Sequence, residues 1–163
     1  MTSERASLIA PVEALLIAEP TVESRAITDA DLADIAQTIV DASADLPGYE
    51  INLERSNAII SELLAGSNGE PRRDAWLGIW EGSGPPVALV LCTTWRGMPY
   101  IAQLVTAPTS REQGYASSLV REFATTVRNE GGTHIGLMLK EDNEAMSLFT
   151  ELGFVQMFTP AGL

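Results

Sequence analysis

The residues best placed to do chemistry are Arg111-x-x-Gly114-x-Ala116, at the junction of an apolar strand (Tyr100 to Thr106) and an amphipathic helix. Glycine can adopt positive φ, and small residues let backbone N–H groups approach a ligand closely. A helix N-terminus adds unpaired N–H donors and the positive end of the helix dipole. Together these features suit a pyrophosphate, and Arg111 brings a guanidinium able to pair with phosphate. The helix that follows carries Leu119, Val120, Phe123, Ala124 and Val127 at helical spacing, so one face is apolar and the other free.

A second informative stretch lies near the C-terminus, Asn143-x-Ala145-x-x-Leu148-Phe149-x-x-Leu152-Gly153-Phe154. On its own it reads as a core helix with a glycine stop, Phe154 packing back on Phe149 across Gly153. Either Asp142 or Asn143 is placed to cap that helix.

Taken in order, the two segments resemble the GCN5-related N-acetyltransferases. In that family an Arg or Gln, two residues, Gly, one residue and then Gly or Ala follow a strand with a Val-x-x-Pro lead-in, here Val105 to Pro108. Asn143, Ala145 and Gly153-Phe154 match the closing segment, whereas the family's Tyr is Phe149. The resemblance covers roughly residues 22–158. It implies acetyl-CoA, or another acyl-CoA, as cofactor. Leu104, Val105 and Thr106 would then pair with pantetheine. The N–H groups of Glu112, Gln113, Gly114, Tyr115 and Ala116 would hold the pyrophosphate, with Arg111 beside them, and Asn143 would approach the pantetheine arm. Phe149 would lie near the sulfur, where relatives place a phenol.

Acyl transfer to an amine needs a neutral nucleophile, donors for the oxyanion and a route for the departing thiolate. The phenyl ring of Phe149 cannot protonate that thiolate; water or Tyr115 would have to, or it leaves unassisted. No carboxylate lies in Tyr100–Thr106, whose long polar side chains are Tyr100 and Gln103. Asp45 and Glu50 fall in the loop where relatives shape the acceptor cleft, but solvated loop acids are the plainer reading. The catalytic residues are therefore left unassigned. His134 is expected to be structural, and Trp76, Trp80 and Trp95 to be core or interface.

The elements that must position these residues follow from periodicity. Residues 1–21, with Pro11 and Pro20, read as an N-terminal arm or a short helix from Val12 to Ala18. Val22 to Ile27 reads as a strand. Thr28-x-x-Asp31 resembles a capping box and opens a helix with Leu32, Ile35, Ala36, Ile39 and Val40 inward. Asn52 caps a second helix with Leu53, Ile60, Leu63 and Leu64 inward. Ala75 to Glu81, Val87 to Trp95 and Tyr100 to Thr106 read as an antiparallel meander, with the middle strand buried on both faces. Ile135 to Leu139 follows by a right-handed parallel crossover, and Phe154 to Phe158 is the last strand. The fold class is α/β with a mixed sheet, in the order β-α-α-β-β-β-α-β-α-β, and residues 22–163 are read as one acyltransferase domain.

The 163 residues carry 22 Asp and Glu against 10 Lys and Arg, a net charge of −12. That disfavours nucleic acid as a partner and suits a cationic acceptor. The lone Cys92 excludes an internal disulfide and, with one histidine, a Cys/His metal site. No apolar run is long enough to span a bilayer, so a cytoplasmic setting is expected. The sequence thus points to an N-acyltransferase acting on a small amine; a non-catalytic acyl-CoA sensor or a ligand-free structural module are the alternatives. A homodimer is expected near residues 154–163, because the last strand offers an uncovered edge.

Overall fold

The computed structural model describes residues 5–140 and 143–157. Its elements are β1 (Arg5–Pro11), α1 (Val12–Leu15), β2 (Arg25–Ala26), α2 (Leu32–Ser43), α3 (Leu53–Leu64), β3 (Glu70–Pro71), β4 (Leu77–Ile79), β5 (Ala88–Trp95), β6 (Met98–Thr106), α4 (Tyr115–Asn129), β7 (His134–Lys140), α5 (Met146–Leu152) and β8 (Val155–Gln156). One sheet runs β2-β4-β5-β6-β7-β1-β8, with β3 pairing on β5.

The meander β4-β5-β6 is antiparallel, and β6 to β7 is parallel through α4, as periodicity requires. β5 is the spine: Ala88, Val90 and Cys92 point into one core with α4, and Leu89 and Leu91 into the other with α2 and α3. Burial on both faces explains its unbroken apolar run. It also makes Cys92 inert, because desolvation pushes the thiol pKa up.

The N-terminal reading is corrected. Arg5–Pro11 is a strand, antiparallel to β7 from Arg5↔Lys140 to Pro11↔His134, and it is inserted between β7 and β8. Ala6, Leu8 and Ala10 alternate inward and are fully covered, and Val12 and Leu15 of the short α1 continue the same core. The boundary at residue 21 therefore does not separate an arm from the sheet. The strand expected over Val22–Ile27 shortens to Arg25–Ala26, and Ala75 belongs to a 3-10 turn before β4.

Both predicted caps form. Thr28 N–H donates to Asp31 Oδ2 at 2.8 Å, and Asn52 Oδ1 accepts from Arg55 N at 2.7 Å. The inward face of α3 is corrected: Ile59, Ile60, Leu63 and Ser56 are buried, whereas Leu53 and Leu64 are exposed. Ser56 takes the place of an apolar residue by donating to the Ala36 carbonyl of α2 at 2.7 Å, a bond that lets the two helices approach closely.

Candidate cofactor cleft

The sheet is split at one place. β6 and β7 pair only at Tyr100↔Gly136 and Ile101↔Leu137. Beyond that point the register of β6 on β5 slips, Leu91 facing Gln103 and Cys92 facing Ile101, which leaves Ala102 as a bulge. A bulge bends its strand and increases the local twist, so β6 leaves β7 and a gap opens. Ala102 to Thr106 are half-exposed although they lie in an interior strand.

The Ala107 N–H bonds to the Val87 carbonyl at 2.7 Å. Alternation along an antiparallel ladder then turns Val105 towards β5 and the N–H and C=O groups of Leu104 and Thr106 towards the gap. Leu104 thus turns its backbone groups to the cleft, Thr106 turns its N–H there while its carbonyl accepts from Arg111 Nε, and Val105 contributes its side chain to the core under α2.

The loop after β6 makes a 3-10 turn at Pro108–Ser110 and then passes through two left-handed residues before α4. Glu112 adopts φ +63 and Gly114 φ +78, both left-handed. Left-handed backbone is uncommon for a residue with a Cβ, and a left-handed residue beside a right-handed one can form an anion-binding nest. Gly114 caps α4 with no side-chain acceptor, and the first helical bond is Ser118 N to Gly114 O at 3.0 Å. The N–H groups of Tyr115 and Ala116 therefore start the helix without an intrahelical partner. A Cβ at Gly114 would find only Thr21 Oγ1, at 3.9 Å, so backbone conformation, not crowding by the protein, selects glycine here.

Several expected roles shift. The guanidinium of Arg111 is committed inside the protein: Nε donates to Thr106 O (3.2 Å), Nη1 to Asp45 Oδ2 (2.8 Å) and Nη2 to Ala42 O (2.7 Å). It fastens the end of α2 to the end of β6 and is not turned to an anion in the cradle. Asp45 is correspondingly a partner of Arg111, and Glu50 accepts from the Gly48 N–H at 3.0 Å.

Asn143 caps the turn before α5, its Oδ1 accepting from Ala145 N at 2.8 Å. The other cap candidate, Asp142, lies outside the described residues. Phe149 is 5% exposed and packs edge-on against Phe154 with ring centroids 5.4 Å apart, so it is a core residue. His134 bonds to Thr133 Oγ1 at 2.9 Å on the surface. Trp76 is fully buried and donates to Cys92 O.

One site residue was missed. Glu81, just after β4, accepts from Ser110 Oγ at 2.7 Å and Tyr115 Oη at 2.8 Å, and Gln113 Oε1 lies 3.2 Å from the same phenol. These bonds, Ser110's first and Tyr115's second, hold the Glu81 carboxyl below the usual carboxylate range. The same contact pushes the Tyr115 phenol up, so it stays protonated. Nothing local in the sequence marks Glu81; only the fold of β4 beside the loop brings it there.

The split mixed sheet with an uncapped helix at the mouth of the split has counterparts among known proteins. A sequence model of the FR47-like protein family matches residues 76–160, just over half of the chain. The chain belongs to this family, within the GCN5-related N-acetyltransferases. A GCN5-related N-acetyltransferase from Sphaerobacter thermophilus is similar over 94% of this chain and 48% of its own, with 16% identity and a TM-score of 0.67. An acetyltransferase of the same family from Colwellia psychrerythraea is similar over 95% and 53%, with 13% identity and a TM-score of 0.68. The PaiA N-acetyltransferase of Thermoplasma acidophilum, solved in complex with coenzyme A, covers 86% of this chain and 94% of its own, with 14% identity and a TM-score of 0.65. The chain spans about half the length of the first two. No curated protein sequence matches it.

Proposed function

We propose that the protein transfers an acetyl group from acetyl-CoA to a small amine by direct attack. The single observation that carries this reading is the gap between β6 and β7, opened by the Ala102 bulge and ending at the Glu112–Gly114 nest. The chain's own groups fit the cofactor. The N–H groups of Glu112 to Ala116 would hold the pyrophosphate, and Leu104 and Thr106 would pair with the pantetheine amides. The thioester would supply an activated acyl carbon. The Leu104 N–H, fixed by the strand, faces the gap and is the donor best placed for a carbonyl oxygen that gains negative charge.

β6 bears no carboxylate and Asp45 is paired with Arg111, so the amine would reach the cleft neutral or lose its proton to water. The acidic chain favours a cationic acceptor in the encounter. No helix among the described residues is long and apolar enough to cross a membrane; the proposed setting is the cytoplasm.

Calorimetry with CoA and acetyl-CoA tests the site. Gly114→Val forces a β-branched residue to φ +78 and should weaken binding about tenfold or more while the chain stays folded. A wild-type protein blind to both ligands would refute the assignment. A second reading, an acyl-CoA sensor, is favoured by Phe149, which is buried in the core and offers no acid. Release of free thiol from acetyl-CoA with a panel of primary amines separates the two: a sensor binds and releases nothing.

A further inference from the structure

The loop between β6 and α4 is fastened from two sides by side chains. On the side of α2 the fastening is Arg111. On the side of β4 it is Glu81, which takes Ser110 Oγ on one carboxylate oxygen at 2.7 Å and Tyr115 Oη on the other at 2.8 Å. Ser110 is 1% exposed, so its hydroxyl has no water to exchange for that bond. Between Ser110 and Tyr115 stand the left-handed Glu112 and Gly114. The backbone there is left open: no N–H from Glu112 to Ala116 donates to another described residue. Side chains hold the loop, and the N–H groups stay available to a ligand.

Glu81 itself stands on a fixed support. At the base of the β4–β5 turn, Val87 N–H donates to the Ile79 carbonyl at 2.8 Å and the Val87 carbonyl accepts from Ala107 N–H at 2.7 Å. The Pro86 carbonyl accepts from Thr38 Oγ1 of α2 at 2.6 Å. Two strands, β5 and β6, separate β4 from the gap, so Glu81 reaches the loop from the side away from the cleft.

A carboxylate beside an anion site repels the anion, so its presence there needs a compensating effect. Here it accepts two charge-assisted bonds, which are stronger than neutral ones. They fix the residues on both sides of Glu112, whose left-handed backbone persists only where its surroundings over-determine it. A loop already held in its binding shape avoids the cost of being ordered when the ligand arrives.

We infer that Glu81 is a positioning residue for the cofactor: by clasping Ser110 and Tyr115 it holds the Glu112–Ala116 backbone in the shape that receives the pyrophosphate of CoA. This rests on the acyl-CoA reading proposed above. Glu81 touches no reacting atom and acts only through the two hydroxyls.

Two measurements on the full chain test this, calorimetry with CoA and hydrogen exchange without ligand. Glu81→Ala should raise the dissociation constant of CoA about tenfold and speed amide exchange in residues 110–116. Glu81 is exposed, so the melting temperature should scarcely move. Glu81→Gln keeps an oxygen that accepts a hydroxyl and should stay within about threefold of wild type. Ser110→Ala combined with Tyr115→Phe removes both donors and should weaken CoA at least as much as Glu81→Ala. Adding Glu81→Ala to that pair should cost nothing more, since the carboxylate then has nothing to hold. If wild type binds CoA and Glu81→Ala binds it equally well, the inference alone is overturned. It is also overturned by weaker binding with unchanged loop exchange, by Glu81→Gln as weak as Glu81→Ala, or by a further loss in the triple variant. A wild-type chain that does not bind CoA overturns the cofactor reading and this inference together.

Discussion

The two halves of the sheet are built by different rules. In β2-β4-β5-β6 the spine β5 is covered by helices on both faces, neighbours in space are mostly neighbours in sequence, and the strand run itself announces the burial. In β7-β1-β8 the middle strand comes from the other end of the chain, held by partners more than a hundred residues away. The first half forms one wall of the cleft and carries the cradle; the second holds the opposite wall in place. A cleft made by strand divergence needs both walls to be rigid, and here one wall depends on local sequence and the other on a long-range insertion.

The sharpest way to break this contrast is at Leu8, which is 2% exposed at the centre of β1. Leu8→Ala should lower stability by about 2–5 kcal/mol, a lost side chain plus a cavity, read as a fall in the urea midpoint. If residues 5–11 were only an accessory arm, the midpoint would scarcely move. Phe149→Tyr probes the same half more gently. A hydroxyl placed in this core without a partner should cost about 1–3 kcal/mol, and CoA should not restore the loss preferentially. A rise in turnover with unchanged melting would instead return Phe149 to the cofactor.

On the other half, Arg111→Ala removes three hydrogen bonds that tie α2 to β6. Part of that group is in solvent, so a loss of about 1–2 kcal/mol is expected, with CoA affinity falling less than in Gly114→Val. The reverse ranking would place the guanidinium on phosphate.

The smallest expected effect is a pH dependence. Asp31 is held well below the usual carboxylate range by the Arg25 guanidinium first and the Thr28 N–H next. A folded-state pKa depressed below the unfolded value of about 4 gives stability that is full above that pH and is lost on further acidification. Unfolding midpoints taken from neutral pH down to pH 3 should fall, and Asp31→Asn should start lower and flatten the curve. Glu81 has the same sign through Ser110 and Tyr115.

Much of the first half was legible because its signals are local. The α4 face, the two caps, the doubly buried β5 and the glycine in the cradle each follow from residues within one or two turns of each other. Three things were not. Arg-Ala-Ser-Leu-Ile-Ala-Pro alternates over too few residues, and ends in a proline, for its pairing with β7 to be read without the fold. The destination of the Arg111 side chain is decided by the free carbonyls at the end of α2, a tertiary fact. Glu81 reaches the loop because a hairpin turn and a strand end coincide in space. Of the dimer contact expected near residues 154–163, residues 158–163 lie outside the described residues.

The insertion of β1 between β7 and β8 also fixes an order of events during synthesis. Arg5–Pro11 is made more than a hundred residues before its hydrogen-bonding partners, His134–Lys140 on one side and Val155–Gln156 on the other. Until then an apolar strand with two unpaired edges waits on the nascent chain. Long-range pairing of this kind slows folding, and exposed strand edges on incomplete chains are where aggregation begins. The closing of the cleft wall thus waits on β7 and β8, and the cleft cannot form before residues 134–156 have been made.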